Sequence, residues 1–326
     1  MVKKHIVLLI LGGLFLFACE ESVEIQNQPF ESKPVIYCMV DPNDTTHSIR
    51  IERMFSGIQA PAKSAGVPDS LLFKEVKVTV FFTPQSGSGT SSIQAHCVEV
   101  ADKNPGYFGF QKHYLYQFEQ VMKLEGRNIY NRIEIKVEIP GLPPVSAFCK
   151  IIESPVIWSP NSAQQYIYIV PDSPLRIQWS GGFWNEVDIK FEIKEMYADS
   201  ISTKVLQFQK VNDVQINGRY YEVRIPYDLV IQGILKNFSY RENIIRRYFG
   251  PVTFSIHTGQ EEYAKYIEYQ NGINDFNQNP FSNIENGLGL LSSKSTIKKG
   301  PMVLDETCRL EFANDPVLKN LNFVEY

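Results

Sequence analysis

The chain lacks the short motifs that carry most hydrolytic, redox and nucleotide chemistry. None of its histidines, His5, His47, His96, His113 and His257, sits in an H-E-x-x-H run or four residues from another, which excludes a helical zinc-hydrolase signature. There is no G-x-S-x-G elbow; Gly87-Ser88-Gly89 lies in a Ser/Gly-rich stretch, not at a strand-to-helix turn that would strain a nucleophile. The glycine patterns that cradle phosphates are missing, and no two cysteines form C-x-x-C, so neither a nucleotide cofactor nor a thiol-held zinc is expected. Basic charge is scarce. With 32 Lys and Arg against 36 Asp and Glu, net −4, there is no concentrated cationic face for a nucleic acid. No apolar run reaches the roughly 20 residues of a membrane-spanning helix.

What is present begins at the start of the chain. Lys3 and Lys4 precede an apolar stretch from Ile6 to Ala18, and Leu16-Phe17-Ala18 leads into Cys19. A positive n-region, a short h-region and a cysteine in this position form a bacterial lipoprotein signal. Residues 1–18 are therefore expected to be removed, leaving Cys19 as the acylated first residue of a lipid-anchored protein. Each buried methylene of an acyl chain contributes roughly 0.8 kcal/mol, and several chains hold much better than one. Glu20, Glu21 and Glu24 follow at once. This run resembles the signal that exports lipoproteins of the Bacteroidota to the outer face of the outer membrane; the alternative is a solvated acidic tether. Residues 19–33, polar and aperiodic, read as the tether itself.

Loss of the signal removes Lys3 and Lys4 but no acid, so 30 basic residues face 36 acidic ones and the net charge becomes −6. The remaining length exceeds what one sandwich usually needs, and 44% hydrophobic residues can build two cores. Cys38, Cys97, Cys149 and Cys308 permit three disulfide pairings. A large sandwich does not need staples, and buried free thiols or a single bridge are expected.

Strands are announced by alternation. Pro34 to Val40, Ser48 to Met54, Val76 to Phe82, His113 to Met122 and Ile133 to Ile139 place apolar residues at period two, with turn clusters such as Asp41-Pro42-Asn43-Asp44 between them. Residues 34–153 are expected to form an immunoglobulin-like β-sandwich. Pro155 and Pro160 mark a junction, and residues 154–326 restart the pattern with Leu175 to Trp179, Asp188 to Met196, Val205 to Phe208, Tyr220 to Ile225 and Val252 to His257. That half resembles a fibronectin-III-like module with a core tryptophan, Trp179. Two helices are predicted in it. One runs from Pro226 to Phe238 with Leu229, Ile231, Ile234 and Leu235 on one face; the other, Glu261 to Tyr269, carries Tyr263, Tyr266, Ile267 and Tyr269. Leu290 to Thr296 and Thr307 to Phe312 are predicted to close the domain as strands. The fold expected overall is mainly β: two sandwiches, the second with short helical insertions.

The string Asn279-Pro280-Phe281-Ser282-Asn283-Ile284-Glu285-Asn286-Gly287-Leu288-Gly289 resembles the near-terminal signature of an uncharacterised Bacteroidota outer-membrane lipoprotein family, a domain of unknown function. The order of lipobox, β domain, β domain with Tyr-rich helix, and this loop fits as well. The resemblance implies a companion of a TonB-dependent receptor, working in capture or transport at the cell surface. It implies no catalytic residues. Physically, Gly287 and Gly289 permit positive φ, and Asn283 and Asn286 can bond the local backbone. A plug against the sheet is the favoured role for this loop, with a ligand or receptor contact the alternative.

Other candidates are weighed by residue chemistry. Trp179 and Trp184 bracket Ser180-Gly181-Gly182-Phe183; with Trp179 in the core, Phe183 and Trp184 remain to stack on a sugar or a partner. Asp41, Asn43 and Asp44 imitate the start of a calcium loop without its glycine and final glutamate, and a hydrogen-bonded turn is expected instead. Glu186 and Asp188, two apart on a strand, would need an acid opposite them to act as a glycosidase pair. Arg241, Arg246 and Arg247 read as a small basic patch or a solvated face. Thr45, Ser70 and Ser200 each follow an aspartate and precede a Thr, Leu or Ile, as in the O-glycosylation acceptor of exported Bacteroidota proteins. The expectation is a non-enzymatic surface lipoprotein that binds a glycan, a peptide or a protein partner. Its rivals are a structural component of an outer-membrane complex and, third, a carbohydrate-active enzyme.

Overall fold

The computed structural model describes residues 32–54, 71–101, 113–161, 163–211, 215–217, 220–272 and 281–326. The lipoprotein signal with Cys19, the acidic residues Glu20, Glu21 and Glu24, the acceptor Ser70, and the first two residues of the Asn279–Gly289 loop lie outside the described residues. The first half of the chain forms β1 (Pro34–Val40), β2 (Thr46–Arg53), β3 (Lys77–Pro84), β4 (Ser91–Val100), β5 (His113–Glu119), β6 (Lys123–Leu124), β7 (Arg127–Asn128), β8 (Tyr130–Glu138) and β9 (Val145–Lys150). The second half forms β10 (Val156–Ser159), β11 (Tyr166–Ile167), β12 (Leu175–Ser180), β13 (Trp184–Met196), β14 (Ile201–Val211), β15 (Gln215–Asn217) and β16 (Tyr220–Ile225). It continues with α1 (Tyr227–Asn237), β17 (Arg246–Gly259), α2 (Glu261–Asn271), β18 (Leu288–Leu304), α3 (Glu306–Asn314) and α4 (Pro316–Lys319).

The fold is mainly β, built on a large mixed sheet in the order β14-β13-β17-β18-β1-β2-β5-β4-β3-β8-β9, with β11 joined to β18. Period-two alternation decides which way each strand faces. In β1, Ile36, Cys38 and Val40 are buried while Tyr37 faces out; in β8, Ile133, Ile135 and Val137 are buried between half-exposed polar neighbours. Among the first nine strands, β9 closes back towards the start of β18 through paired backbone bonds between Ser146 and Glu285, at 3.3 and 2.8 Å. The sheet thus curls around a core that includes Ile36, Val80, Phe82, Phe118 and Ile135.

β18 joins the halves. Its first residues pair in parallel with β1, Val35 opposite Leu288 through Val40 opposite Ser293. Its later residues run antiparallel to β17, from Lys294 opposite Gly259 to Met302 opposite Val252. Ile284 and Leu291 consequently enter the core of the first half. The second core lies between the β14-β13-β17-β18 section and a separate four-stranded sheet, β10-β12-β16-β15. It contains Trp179, Phe191, Phe254 and Phe312, and α1 adds Val230 and Ile234 to it. Residues Lys33–Tyr326 form one compact unit.

Several expectations change. Thr307–Phe312 is helical, within α3, not a strand: Asp305 caps it by accepting from the Thr307 amide at 2.9 Å, and Cys308 and Phe312, one turn apart, are the residues it buries. In α1 the buried face is Tyr227, Val230, Ile231 and Ile234, whereas Leu229 and Leu235 are exposed. A whole strand, β4, follows the Ser/Gly-rich turn with only its Ile93 and Ala95 packed against the core. Its weak hydrophobicity hides it in the sequence.

Candidate functional site

The site grows from two glycine-dependent turns. Gly259 ends β17 opposite Trp184, the first residue of β13. A Cβ at Gly259 would fall 2.5 Å from Tyr263 Cδ1, so only glycine lets the Tyr263 ring lie over the strand end. Gln260 turns the chain into α2, its amide donating to Ser293 O of β18 at 2.9 Å. At the other turn, Gly181 and Gly182 take positive φ, and a Cβ at Gly182 would meet Thr258 Cβ at 2.6 Å. The Phe183 amide then donates to Gly259 O at 2.8 Å, and the Tyr221 hydroxyl donates to Gly182 O at 2.9 Å from below. Tyr221 stacks in turn on Trp179, which is fully buried and donates its indole N–H to Asn185 Oδ1 at 2.7 Å. Trp179 is a core residue, as expected, and it braces the loop that presents Phe183 and Trp184.

A row of rings results. Phe183 is 62% exposed. Trp184 meets Tyr263 edge to face with centroids 4.9 Å apart. Further along α2, Tyr266 meets Tyr37 of β1 at 6.3 Å, again edge to face. Burial pushes the phenols of Tyr37 and Tyr263 up, and so do Tyr266 beside the first and Glu186 beside the second, keeping both hydroxyls protonated at neutral pH. The outer face of β13 continues the row with polar groups. Glu186 stands opposite His257, and Asp188 Oδ2 lies 3.6 Å from His257 Nε2 while His257 Nδ1 is 3.0 Å from Thr296 Oγ1. Rings offer flat apolar faces, and the carboxylates, imidazole and hydroxyl offer hydrogen bonds beside them. That combination fits sugar rings or a peptide.

The structure places the remaining predicted residues as follows. Asn283 exchanges two bonds with the Leu291 backbone, at 2.8 and 3.0 Å, and Asn286, at φ 56°, donates to Pro144 O at 2.9 Å. Both side chains fasten the loop to the sheet. Of the two glycines there, Gly289 has φ +114°, but Gly287 is needed for close approach instead, its Cβ position lying 2.9 Å from Pro34 O. Neither asparagine is brought to Phe183 or Trp184 by any contact between described residues. Asp41 Oδ1 accepts from Asn43 N and Nδ2 at 2.9 and 2.7 Å, the hydrogen-bonded turn that was expected. Thr45 and Ser200 are exposed in turns. Arg247 is not part of a surface patch: it is 1% exposed and bonded to Glu195, Leu321 O and Ser239 O. Among the described residues Cys38, Cys97, Cys149 and Cys308 are free thiols, three of them buried and Cys97 exposed.

Sequence reasoning missed two things. Tyr37 belongs to the ring row only because β18 pairs with β1, a long-range event that local pattern does not show. Trp158, 50% exposed on β10, stacks edge-on against Tyr220 at 5.4 Å and makes a second aromatic surface; its position just before Ser159-Pro160 was the available signal. Among the described residues no group of three or more His, Cys, Asp or Glu is arranged to hold a metal, and no helix is long and apolar enough to cross a membrane. No protein-family model matches the chain, and no curated protein matches it.

Proposed function

We propose that the chain is a lipid-anchored outer-membrane protein, held through acylated Cys19 and exposed at the cell surface, that binds a ligand or protein partner and performs no catalysis. The observation that carries the binding part is the braced ring row of Phe183, Trp184, Tyr263, Tyr266 and Tyr37 with the polar strip beside it. Its backbone is held from two sides, so the rings are ordered before a partner arrives and less conformational entropy is lost on binding. The anchor rests on the Lys3-Lys4, Ile6–Ala18, Cys19 order, and outward display on Glu20, Glu21 and Glu24.

The partner proposed is a TonB-dependent receptor, which docks on the ring row, with a glycan or peptide as the cargo that the receptor carries. Thr45, Ser70 and Ser200 are proposed O-glycan acceptors, and the exposed turns at Thr45 and Ser200 support that role. The immunoglobulin/fibronectin-III-like description of the fold is part of this reading. It is supported most by the second half, where two sheets face each other across Trp179. A structural role in an outer-membrane complex is favoured by a different feature, the sheet-edge strand β14 with exposed Ile201 and Val205, which offers a template for strand addition.

Purification of the tagged lipoprotein from its native outer membrane in mild detergent, followed by quantitative mass spectrometry, tests the proposal. A receptor present at one copy per copy, and lost with Trp184→Ala, is expected. A receptor retained by Trp184→Ala but lost with Val205→Lys would favour the edge-strand reading. A lipoprotein recovered alone would overturn the receptor assignment.

A further inference from the structure

We infer that the end of the N-terminal sheet where β2 and β4 finish and β5 begins is a binding pocket for a small, uncharged, mainly apolar molecule bearing one hydrogen-bonding group. This site is independent of the ring row. A cavity of about 390 Å³ opens there, walled by Ile51, Leu72, Phe73, Val76, Cys97 and Tyr116. This volume falls within the ~300–1,000 Å³ of small-molecule sites.

The walls follow from the strand pattern. Ile51 is buried and continues the inward row of Ile49 in β2, while Tyr116 continues the row of Phe118 in β5; both belong to the core. Phe73 and Val76, in the segment leading into β3, pack partly on the same core and form the opposite wall. The floor is therefore the core's own surface, which the described residues leave uncovered over an area suited to an apolar molecule. One wall carries a polar pair. Cys97 of β4 stands opposite Tyr116 in register, its thiol beside the Tyr116 hydroxyl. Burial, and then Cys97, push that hydroxyl up to about 12, so it stays protonated and can share a hydrogen bond with a ligand hydroxyl or carbonyl. The rim carries charges of both signs: exposed Lys74 and Glu75, Arg53 over the Phe73 ring at 5.7 Å, and Glu99, which accepts from the Tyr114 hydroxyl at 3.2 Å. The apolar floor and not the rim therefore sets the preference for an uncharged molecule.

The pocket holds the one exposed thiol among Cys38, Cys97, Cys149 and Cys308, and that supplies the test. The acylated protein is reconstituted in nanodiscs and treated with fluorescein maleimide, and labelling of Cys97 is followed by intact mass. 1-Naphthol, small, aromatic and uncharged with one hydroxyl, is the competing probe; 1-naphthalenesulfonate is its charged counterpart. The expected result is saturable protection, labelling slowed at least tenfold by naphthol and much less by the sulfonate. Ile51→Trp, which fills the cavity, should abolish the protection by naphthol; Leu72→Trp, at a half-buried wall position, serves if that variant does not fold. Protection that never saturates, protection equal for both probes, or protection unchanged in the filled variants would overturn the inference.

Discussion

At Gly289, φ is +114° and a Cβ would lie 2.0 Å from Ile36 O. No rotamer relieves a clash with backbone, so Gly289→Ala should destabilise by well over the ~1 kcal/mol of a conformationally neutral exchange, measured by urea unfolding. Arg247 makes the complementary case. It is buried with Glu195, Nε to Oε1 at 2.9 Å, and every nitrogen of its guanidinium has a partner. Arg247→Met leaves Glu195 buried without its counter-charge and should cost about 3–5 kcal/mol, whereas adding Glu195→Leu should return a large part of that. Its three-arginine neighbourhood disguised it in the sequence as a surface patch, because partners 52 and 74 residues away are invisible to local reading. Trp179 was legible, since alternation along Leu175 to Trp179 already puts it on the inward face.

Titration belongs to the same scale. Burial pushes the Cys38 thiol from 9.0 up to about 12 and lowers the His47 imidazole below its ordinary 6.5. For Cys38 the unfolded chain loses its proton first as pH rises, so stability is full below about 9 and falls between about 9 and 12. For His47 the unfolded chain gains a proton first as pH falls, so stability is full above 6.5 and declines below it. Urea midpoints across pH should show both limbs, with the acid limb shallower in His47→Leu and the alkaline limb shallower in Cys38→Ala. Midpoints flat from pH 5 to 11 would contradict this.

Among elements, strands with strong alternation were readable and the two short helices near the end, α3 and α4, were not. Cys308, Leu310 and Phe312 alternate as a strand would, which is why Thr307–Phe312 reads as β from pattern alone. Asp305 decides otherwise: its carboxylate satisfies an amide that a strand would have offered to a neighbour. Asp305→Ala should therefore cost about 1 kcal/mol, read as a lowered urea midpoint with unchanged slope. The helix α2 was legible as a Tyr-bearing segment, but the purpose of its rings was not, because Trp184 and Tyr37 reach it from strands far apart in the chain. The same holds for the pocket beside Cys97, which is made where three strand ends meet.

The molecule as a whole is tied together by β18, which is parallel to β1 at one end and antiparallel to β17 at the other. A sequence divided near residue 154 cannot show that one strand serves both cores. This sharing matters for binding. The ring row rests on β13, β17, β18 and β1 together, so its geometry is fixed by hydrogen bonds from both halves and not by a hinge between them. A photo-crosslinking residue placed at Phe183 in living cells is the most direct probe of the binding role. Adducts to one outer-membrane receptor from position 183, and none from exposed Leu310 on α3, are expected. Equal adducts from both positions, or none from position 183, would contradict the claim that this row is where the partner binds.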